Sequence, residues 1–373
     1  MLYDDDKIEV TQSEKNDYYS DDDIYDFNSW GADLSFRELI ERMENDELIK
    51  PELQRNYVWD KSEASRFIDS ILLKLPVPSI FLAKQDNETL LIIDGYQRLK
   101  TVYDYVHGLF SKDNKIFRLS NTEKINNRWR GKAFSELSDT EQRRIKNTTI
   151  HSIIFVQTHP HNNNTGMYQV FERINTSGRT LYPQEIRNCV YQGDMNDLLF
   201  ELNEHPNWRK CFGSQYPDPR MRDMEYILRY LALSEMDIDT ITTKSISLKK
   251  ELNLFMGINR NFNEIKKAEF SNKFKQNIDL IYGQFGKNSF HNLSQTTENR
   301  FANKFNPTIY DSFMLAFESE DNQRGKMHEK RLLLLKDHEY QDSIRIRTTN
   351  IDTIRKRIRL VKEYLFEDLH EQS

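Results

Sequence analysis

The chain has 373 residues, enough for two lobes with separate apolar cores, and its 22 Phe and 18 Tyr supply large buried surfaces although only 37% of the residues are apolar. Its two cysteines, Cys189 and Cys211, have no paired spacing, which argues against a disulfide framework or a cysteine zinc site and predicts a reducing compartment. No basic and apolar signal segment opens the sequence, and no uncharged apolar run approaches the roughly 20 residues of a membrane helix, so we expect a cytoplasmic protein without a membrane partner.

Charge is distributed unevenly along the chain, whose net charge is −6. Residues 1–27 hold ten acidic residues and two lysines without apolar periodicity, so we predict an acidic disordered tail there. Residues 343–362 hold seven basic residues and one acidic residue, so an anionic partner is compatible with the acidic whole; if that partner is DNA, Arg355, Lys356 and Arg359 are the candidate phosphate contacts. The alternative is a solvated helix face without a partner.

Regular structure is predicted from about residue 30 onward. Apolar residues at helical spacing indicate two amphipathic helices, near residues 36–43 and 64–72. An extended segment at residues 50–59 separates them.

A hairpin and a helix follow. Two apolar runs, residues 79–84 and 89–93, flank a polar turn and predict a β-hairpin. The apolar spacing from Gln97 to Gly108 predicts a helix that begins directly after Asp94 and Gly95. This pair therefore lies at a strand-to-helix turn.

The rest of the chain is predicted to be mostly helical after one more strand. That strand covers residues 149–157 and follows a helix that opens with the capping pattern Ser-Asp-Thr-Glu at residues 138–141. Another helix covers residues 167–174, and Pro183 opens the next one. We therefore predict an α+β fold with three parts: the tail at residues 1–27, an N-terminal lobe with a small mixed sheet at residues 28–180, and a helical lobe at residues 181–373.

Residues 94–98 read Asp-Gly-Tyr-Gln-Arg and combine several features that a phosphate site needs at one turn. Gly95 permits close approach to the backbone, the helix start offers amide donors at its positive dipole end, and Arg98 can hold a phosphate through two parallel hydrogen bonds. Asp94 is the candidate for binding Mg²⁺ or orienting a water. The structural alternative is that Asp94 caps the helix and Arg98 pairs with a surface acid.

Three further segments have both functional and structural interpretations. Residues 51–55, Pro-Glu-Leu-Gln-Arg, are either a polar site or a loop anchored by Trp59. Residues 171–180 can surround an anion with backbone amides and hydroxyls, or can simply end a helix. Residues 220–229 place Arg before Asp by three positions and Glu before Arg by four, which favours intrahelical ion pairs over catalysis.

Taken in order, several of these segments resemble the N-terminal domain of the GmrSD-type modification-dependent restriction enzymes, a family related to the ParB/sulfiredoxin superfamily. The matching segments are residues 51–55 with Trp59, 70–78, 94–98, 171–178 and 184–188. The resemblance spans about residues 34–230 and is specific because order and spacing are both kept. It implies a ParB/sulfiredoxin-like lobe whose Asp-Gly-Gln-Gln-Arg motif binds and hydrolyses a nucleoside triphosphate.

The resemblance carries site roles over to this chain by position. It implies that Asp94, Gln97 and Arg98 are catalytic, that Asp94 also binds the metal, and that Gly95 and Tyr96 contact the nucleotide. The further nucleotide contacts that it implies are Gln54, Arg55, Arg173 and Asn175.

Two departures from the family pattern matter. Tyr96 stands where the family usually has glutamine; if that glutamine positions the attacking water, hydrolysis here is slow while binding is kept, and Tyr96 is a candidate to stack on the base. The C-terminal region shows no His-Asn-His nuclease pattern, so we expect a single-domain member. Its histidines are isolated at His291, His328, His338 and His370.

The leading hypothesis is a sensor of a prokaryotic DNA-defence system that binds and hydrolyses a nucleoside triphosphate with Mg²⁺, with DNA or a DNA-bound protein as its partner. One alternative is a metal-dependent endonuclease that nicks DNA. Another is a non-enzymatic DNA-binding adaptor. The sequence leaves open which nucleotide is used and whether the chain forms a homo-oligomer.

Overall fold

A computed structural model describes residues 8–9, 26–50, 59–85, 87–159, 165–174, 181–294, 300–319 and 327–367. The chain divides into two compact units. The N-terminal unit consists of Asp23–Leu181 and Asn188–Val190. The helical unit consists of Met1–Asp22, Tyr182–Arg187 and Tyr191–Ser373.

The N-terminal unit is built on a mixed β-sheet. Its strands in chain order are β1 (Asp26–Ser35), β2 (Leu48–Ile49), β3 (Ile80–Lys84), β4 (Leu90–Asp94), β5 (Leu109–Phe110), β6 (Lys115–Ile116) and β7 (Thr149–His159). Five of these strands form one sheet in the order β1-β7-β3-β4-β2, and β5 pairs with β6 separately. β2 runs parallel to β4, and β3 runs antiparallel to β4. The carboxyl ends of β2 and β4 therefore lie at the same edge of the sheet.

In the described part of this unit, five α-helices accompany the sheet. They are α1 (Phe36–Glu44), α2 (Lys61–Leu72), α3 (Tyr96–His107), α4 (Asp139–Asn147) and α5 (Thr165–Ile174). The apolar sides of the first three share one core with the sheet, and Ile68, Ile92 and Val102 are fully buried in it. Side chains of Ser35, Asp60 and Ser138 cap α1, α2 and α4, whereas α3 begins at Gly95 without any side-chain cap.

Within its described residues the helical unit contains mostly helices and one short hairpin. The helices are α6 (Pro183–Val190, whose last three residues belong to the N-terminal unit), α7 (Asp194–Asn203), α8 (Pro206–Phe212), α9 (Arg222–Ser234), α10 (Leu248–Ile258), α11 (Glu264–Phe285), α12 (Pro307–Ala316), α13 (Met327–Lys336), α14 (His338–Arg345) and α15 (Ile351–Phe366). The hairpin pairs β8 (His291–Leu293) with β9 (Phe301–Phe305). Among the described helices, none combines the length and the apolar character that crossing a bilayer requires.

The mixed α+β architecture agrees with the sequence prediction. The β3–β4 hairpin, the start of α3 after Gly95, the Ser138 cap of α4 and the opening of α6 at Pro183 are all confirmed. β1 was not predicted beyond a start near residue 30, because most of its residues are exposed on an edge strand and show no alternating apolar pattern.

The predicted acidic tail over residues 1–27 needs correction at two places. β1 already begins at Asp26. Ile8 is only 5% exposed and forms a parallel bridge with Phe305, and the Glu9 amide donates to the Phe305 carbonyl at 2.9 Å. The buried Ile8 side chain and the backbone hydrogen bond of Glu9 thus attach residues 8–9 to β9 of the helical unit. Residues 1–7 and 10–25 lie outside the described residues.

The intrahelical ion pairs expected within residues 220–229 are wrong as a description of this segment. Helix α9 is buried on most of its surface, so its charged residues need partners from neighbouring elements. Arg229 pairs with Asp311 of α12. The other N–O distances are 3.1 Å for Arg220–Glu185, 2.8 Å for Arg209–Asp223 and 2.9 Å for Arg187–Glu225.

Candidate functional site

Residues 94–98 occupy the turn between β4 and α3. Asp94 is the last residue of β4, Gly95 is the N-cap of α3, and Tyr96 is the first helical residue. A helix start carries amide groups and a positive dipole end, and the N-cap residue here, Gly95, has no side chain to cap them. The turn therefore presents an electropositive backbone at the edge of the sheet.

Gly95 has a backbone conformation and a contact that exclude other residues. Its φ of +105° lies in a region that L side chains rarely adopt. A Cβ atom added here would lie 2.2 Å from Ile80 Cγ2 on β3, a severe clash. The close approach of this turn to β3 thus depends on glycine.

Arg98 and Asp94 form an ion pair across this turn. Arg98 Nη2 donates to Asp94 Oδ2, and Arg98 Nη1 donates to the Pro78 carbonyl at 3.1 Å. The Arg98 side chain is 12% exposed and the Asp94 side chain 41% exposed. The structural alternative was that Arg98 pairs with a surface acid. The acid that accepts a hydrogen bond from Arg98 is instead Asp94 of the motif itself.

Gln97 connects the motif to Trp59. Its Oε1 accepts a hydrogen bond from the Trp59 amide at 3.3 Å, and its carbonyl accepts one from Thr101 Oγ1 at 2.6 Å. Trp59 directly follows residues 51–58, which lie outside the described residues together with Gln54 and Arg55. Trp59, the first described residue after that segment, therefore contacts the start of α3.

Tyr96 points into the core of the N-terminal unit. It is 6% exposed, and burial, followed by the charge of Asp104, raises the pKa of its hydroxyl to about 12. The ring is therefore not presented to solvent for stacking on a base, which was one expectation for this position.

Lys50 is the residue of this region that sequence reasoning missed. It directly follows β2, and its Nζ lies 5.1 Å from the centre of the Tyr96 ring. It forms no ion pair within the described residues, whereas the neighbouring Lys100 pairs with Asp104 at 2.8 Å. Burial, followed by the charge of Lys100, lowers the pKa of Lys50. The sequence offered one indication of Lys50, which is its position directly before the polar segment at residues 51–55.

The remaining implied nucleotide contacts lie on or after α5. Arg173 is exposed in the last turn of α5, and this helix packs beside β4, the strand that ends in Asp94. Asn175 lies outside the described residues, as do residues 176–180.

The side chains at this turn suit a metal ion that binds together with a phosphate better than a metal ion that the protein holds alone. Within the described residues, no group of three His, Cys, Asp or Glu side chains is arranged to hold a metal ion. Asp94 is the acid of the motif, and Mg²⁺ is commonly bound through one or two carboxylates together with substrate phosphates. A metal on Asp94 would compete with Arg98 for the carboxylate.

The predicted DNA-contacting residues lie on α15 beside a cavity of about 920 Å³ in the helical unit. Arg355 donates to the carbonyls of Ile238, Asp239 and Ile241. Acids are more frequent than bases in the cavity wall. Its basic residues are Arg355, Lys356, Arg359 and Lys362, and its acidic residues are Asp237, Asp239, Glu318, Asp352, Glu363 and Glu367.

DNA binding by Arg355, Lys356 and Arg359 remains a prediction. Lys356 lies 3.6 Å from Glu339, and Arg359 lies 3.6 Å from Glu363. Such exposed pairs are weak, so both bases can turn toward a phosphate, but the acids around them oppose an anion.

Comparison with known proteins agrees with the resemblance noted in the sequence. Residues 36–192 match the family described as GmrSD restriction endonuclease, N-terminal domain. This range covers α1 to α6 and therefore includes the sheet strands β2, β3, β4 and β7 and the turn at residues 94–98. No curated protein and no solved structure matches the chain. Residues 36–192 of this chain are thus similar to the N-terminal domain of the GmrSD restriction endonucleases.

Proposed function

We propose that the turn at residues 94–98 binds the phosphates of a nucleoside triphosphate and hydrolyses it, as part of a restriction-type defence system. The observation that carries the proposal is the position of Arg98, which the Asp94 carboxylate and the Pro78 carbonyl hold at the start of a helix without a side-chain cap. Guanidinium groups and helix amides are both donors that suit phosphate oxygens. The family match supports the restriction-type context, with DNA or a DNA-bound protein as partner.

In the proposed reaction, a water oxygen bonds to the γ-phosphorus while the bond from that phosphorus to the β–γ bridging oxygen breaks. The products are a nucleoside diphosphate, inorganic phosphate and, near neutral pH, a proton from the attacking water that passes to solvent. Arg98 and the amides at the start of α3 stabilise the charge on the phosphoryl oxygens. Bound Mg²⁺ would supply further neutralisation of the phosphate charge, with Asp94 as its candidate protein ligand.

Phosphate binding and the Arg98–Asp94 pair are in competition. A phosphate that replaces Asp94 as the acceptor from Arg98 Nη2 frees the Asp94 carboxylate to orient the attacking water or to hold the metal. Gln97 is the second candidate for orienting the water, and Tyr96 contributes no exposed polar group to this task.

The test is phosphate release from ATP, GTP, CTP and UTP with Mg²⁺, with and without DNA. We expect turnover of at least one nucleotide by the wild type and none by an Asp94→Ala/Arg98→Ala double variant. A wild type that neither binds nor hydrolyses any of the four nucleotides would refute the proposed function.

A further inference from the structure

Lys50 and Tyr96 contact each other near the carboxyl end of β4, where residues 94–98 begin. β2 and β4 are parallel with Leu48 beside Leu90 and Ile49 beside Leu91. Lys50 thus leaves β2 at the same edge at which Asp94 ends β4. Its ammonium lies over the ring of Tyr96, the first residue of α3.

Among the residues that the structure describes, no acid pairs with Lys50. Lys100, on the same side of α3 one turn later, is paired with Asp104 at 2.8 Å. Asp104 is 2% exposed and also accepts hydrogen bonds from the Ser111 amide and hydroxyl, at 2.9 and 2.7 Å. Asp104 is therefore committed to Lys100 and Ser111. Lys50 forms no ion pair with any residue that the structure describes.

This unbalanced cation is placed unfavourably unless an anion joins it. A lysine next to another lysine and near the positive end of a helix is repelled by both. The contact with the Tyr96 ring compensates only partly, since an aromatic face attracts a cation more weakly than a carboxylate does. A bound phosphate would remove the repulsion and would be attracted by the same groups.

We propose that Lys50 is a phosphate-contacting residue of the nucleotide site and that Tyr96 is the positioning residue that holds its ammonium there. The inference rests on the proposed function and adds to it a cation from β2, in addition to Arg98 from α3. It also gives the buried Tyr96 a role that does not require stacking on a base. The lowered pKa of Lys50 agrees with an electropositive site but does not by itself identify the ligand.

The experiment is a set of binding measurements by calorimetry with two probes, the preferred nucleoside triphosphate and inorganic triphosphate. We expect Lys50→Met to weaken both by about tenfold or more, because a hydrogen bond to a charged group is lost. Lys50→Arg should restore most of the affinity. Lys84→Met is the matched control, because Lys84 is the last residue of β3 in the same sheet and already pairs with Glu88 at 2.6 Å.

A double-mutant cycle tests the role of Tyr96. Tyr96→Phe should bind like the wild type, since the ring face is kept. Tyr96→Leu should weaken binding, and it should have no further effect when Lys50 is already methionine. Urea unfolding of each variant shows whether a loss of binding comes from a loss of fold, a greater risk at the buried Tyr96 than at the half-buried Lys50.

The outcomes separate this inference from the proposed function. If the wild type binds nucleotide and Arg98→Ala does not, the proposed function stands. If Lys50→Met then binds both probes like the wild type, the assignment of Lys50 is wrong. It is equally overturned if Lys50→Met weakens the nucleotide but leaves inorganic triphosphate unchanged, because the lysine would then contact the base or sugar.

Discussion

Arg98 donates a hydrogen bond to Asp94, four residues before it, across the first turn of α3. The pair joins the last residue of a strand to a residue of the helix that follows, with Gly95 between them. It keeps the guanidinium at the turn while no ligand is bound.

Removal of this guanidinium should abolish nucleotide binding with little effect on stability. For Arg98→Ala we expect a loss of calorimetric affinity of at least about a hundredfold, since charge-assisted hydrogen bonds to phosphate are lost. Stability should fall by about 1 kcal/mol or less, because Asp94 remains in contact with water.

Arg42→Ala is the matched control for this prediction. Arg42 forms the same type of pair with Glu38, four residues earlier on α1, at 3.1 Å. Its substitution should cost similarly little stability and leave binding unchanged. Equal nucleotide affinity of Arg98→Ala and wild type would remove Arg98 from the site.

Gly95→Ala should lower the unfolding free energy more than a comparable glycine-to-alanine substitution elsewhere in the same helix. Gly108, at the end of α3, also has a positive φ, of +80°, but an added Cβ meets nothing within 4 Å. At Gly95 the same strain is joined by the clash with Ile80. We expect Gly108→Ala to cost about 1 kcal/mol and Gly95→Ala about 2–4 kcal/mol in urea unfolding. Equal costs would show that β3 yields to the extra methyl group.

Nucleotide binding should weaken with rising pH below the range in which an ordinary lysine titrates. The bound form requires protonated Lys50, and its pKa is lowered by burial and by Lys100, which is itself paired with Asp104. The contribution of Lys50 to affinity is therefore complete below its lowered pKa and lost as pH rises through it. The neighbouring Tyr96 hydroxyl does not contribute to this loss, because its pKa is raised to about 12.

Lys50→Arg tests the assignment of the titrating group. Arginine stays protonated over the whole accessible range, so the variant should keep its affinity at the pH at which the wild type loses it. If both proteins lose affinity at the same pH, another group is responsible.

Asp311 should be among the most sensitive positions of the helical unit. It is 1% exposed and lies within ion-pair distance of two buried arginines, Arg229 and Arg357. For Asp311→Ala we expect a loss of about 3–5 kcal/mol of unfolding free energy, because a buried positive charge is left without its acid. Asp279→Ala should cost far less, since Asp279 is 49% exposed. Thermal unfolding of both variants decides the comparison.

Local sequence patterns predicted the elements that carry the motif. Two apolar runs and a glycine are enough to place β3, β4 and the start of α3, because each element is specified by residues close in sequence. β1 could not be found in this way, since its strand pairing comes from β7, more than a hundred residues later.

Sequence patterns could not predict the side-chain contacts of the site. Lys50 and Tyr96 are separated by a helix and a hairpin, and only the parallel pairing of β2 with β4 brings them together. For the same reason the pattern in residues 220–229 suggested pairs along one helix, whereas burial of α9 joins its charges to other elements.

The contact of Ile8 and Glu9 with β9 has a consequence for the order of events during synthesis. Glu9 Oε2 accepts a hydrogen bond from Asn306 Nδ2, 297 residues later in the chain. A contact of this separation closes a long loop and forms slowly. During translation the segment that carries Ile8 leaves the ribosome long before its partner strand exists. Completion of the helical unit is therefore a late event, after the domain at residues 36–192 has already emerged.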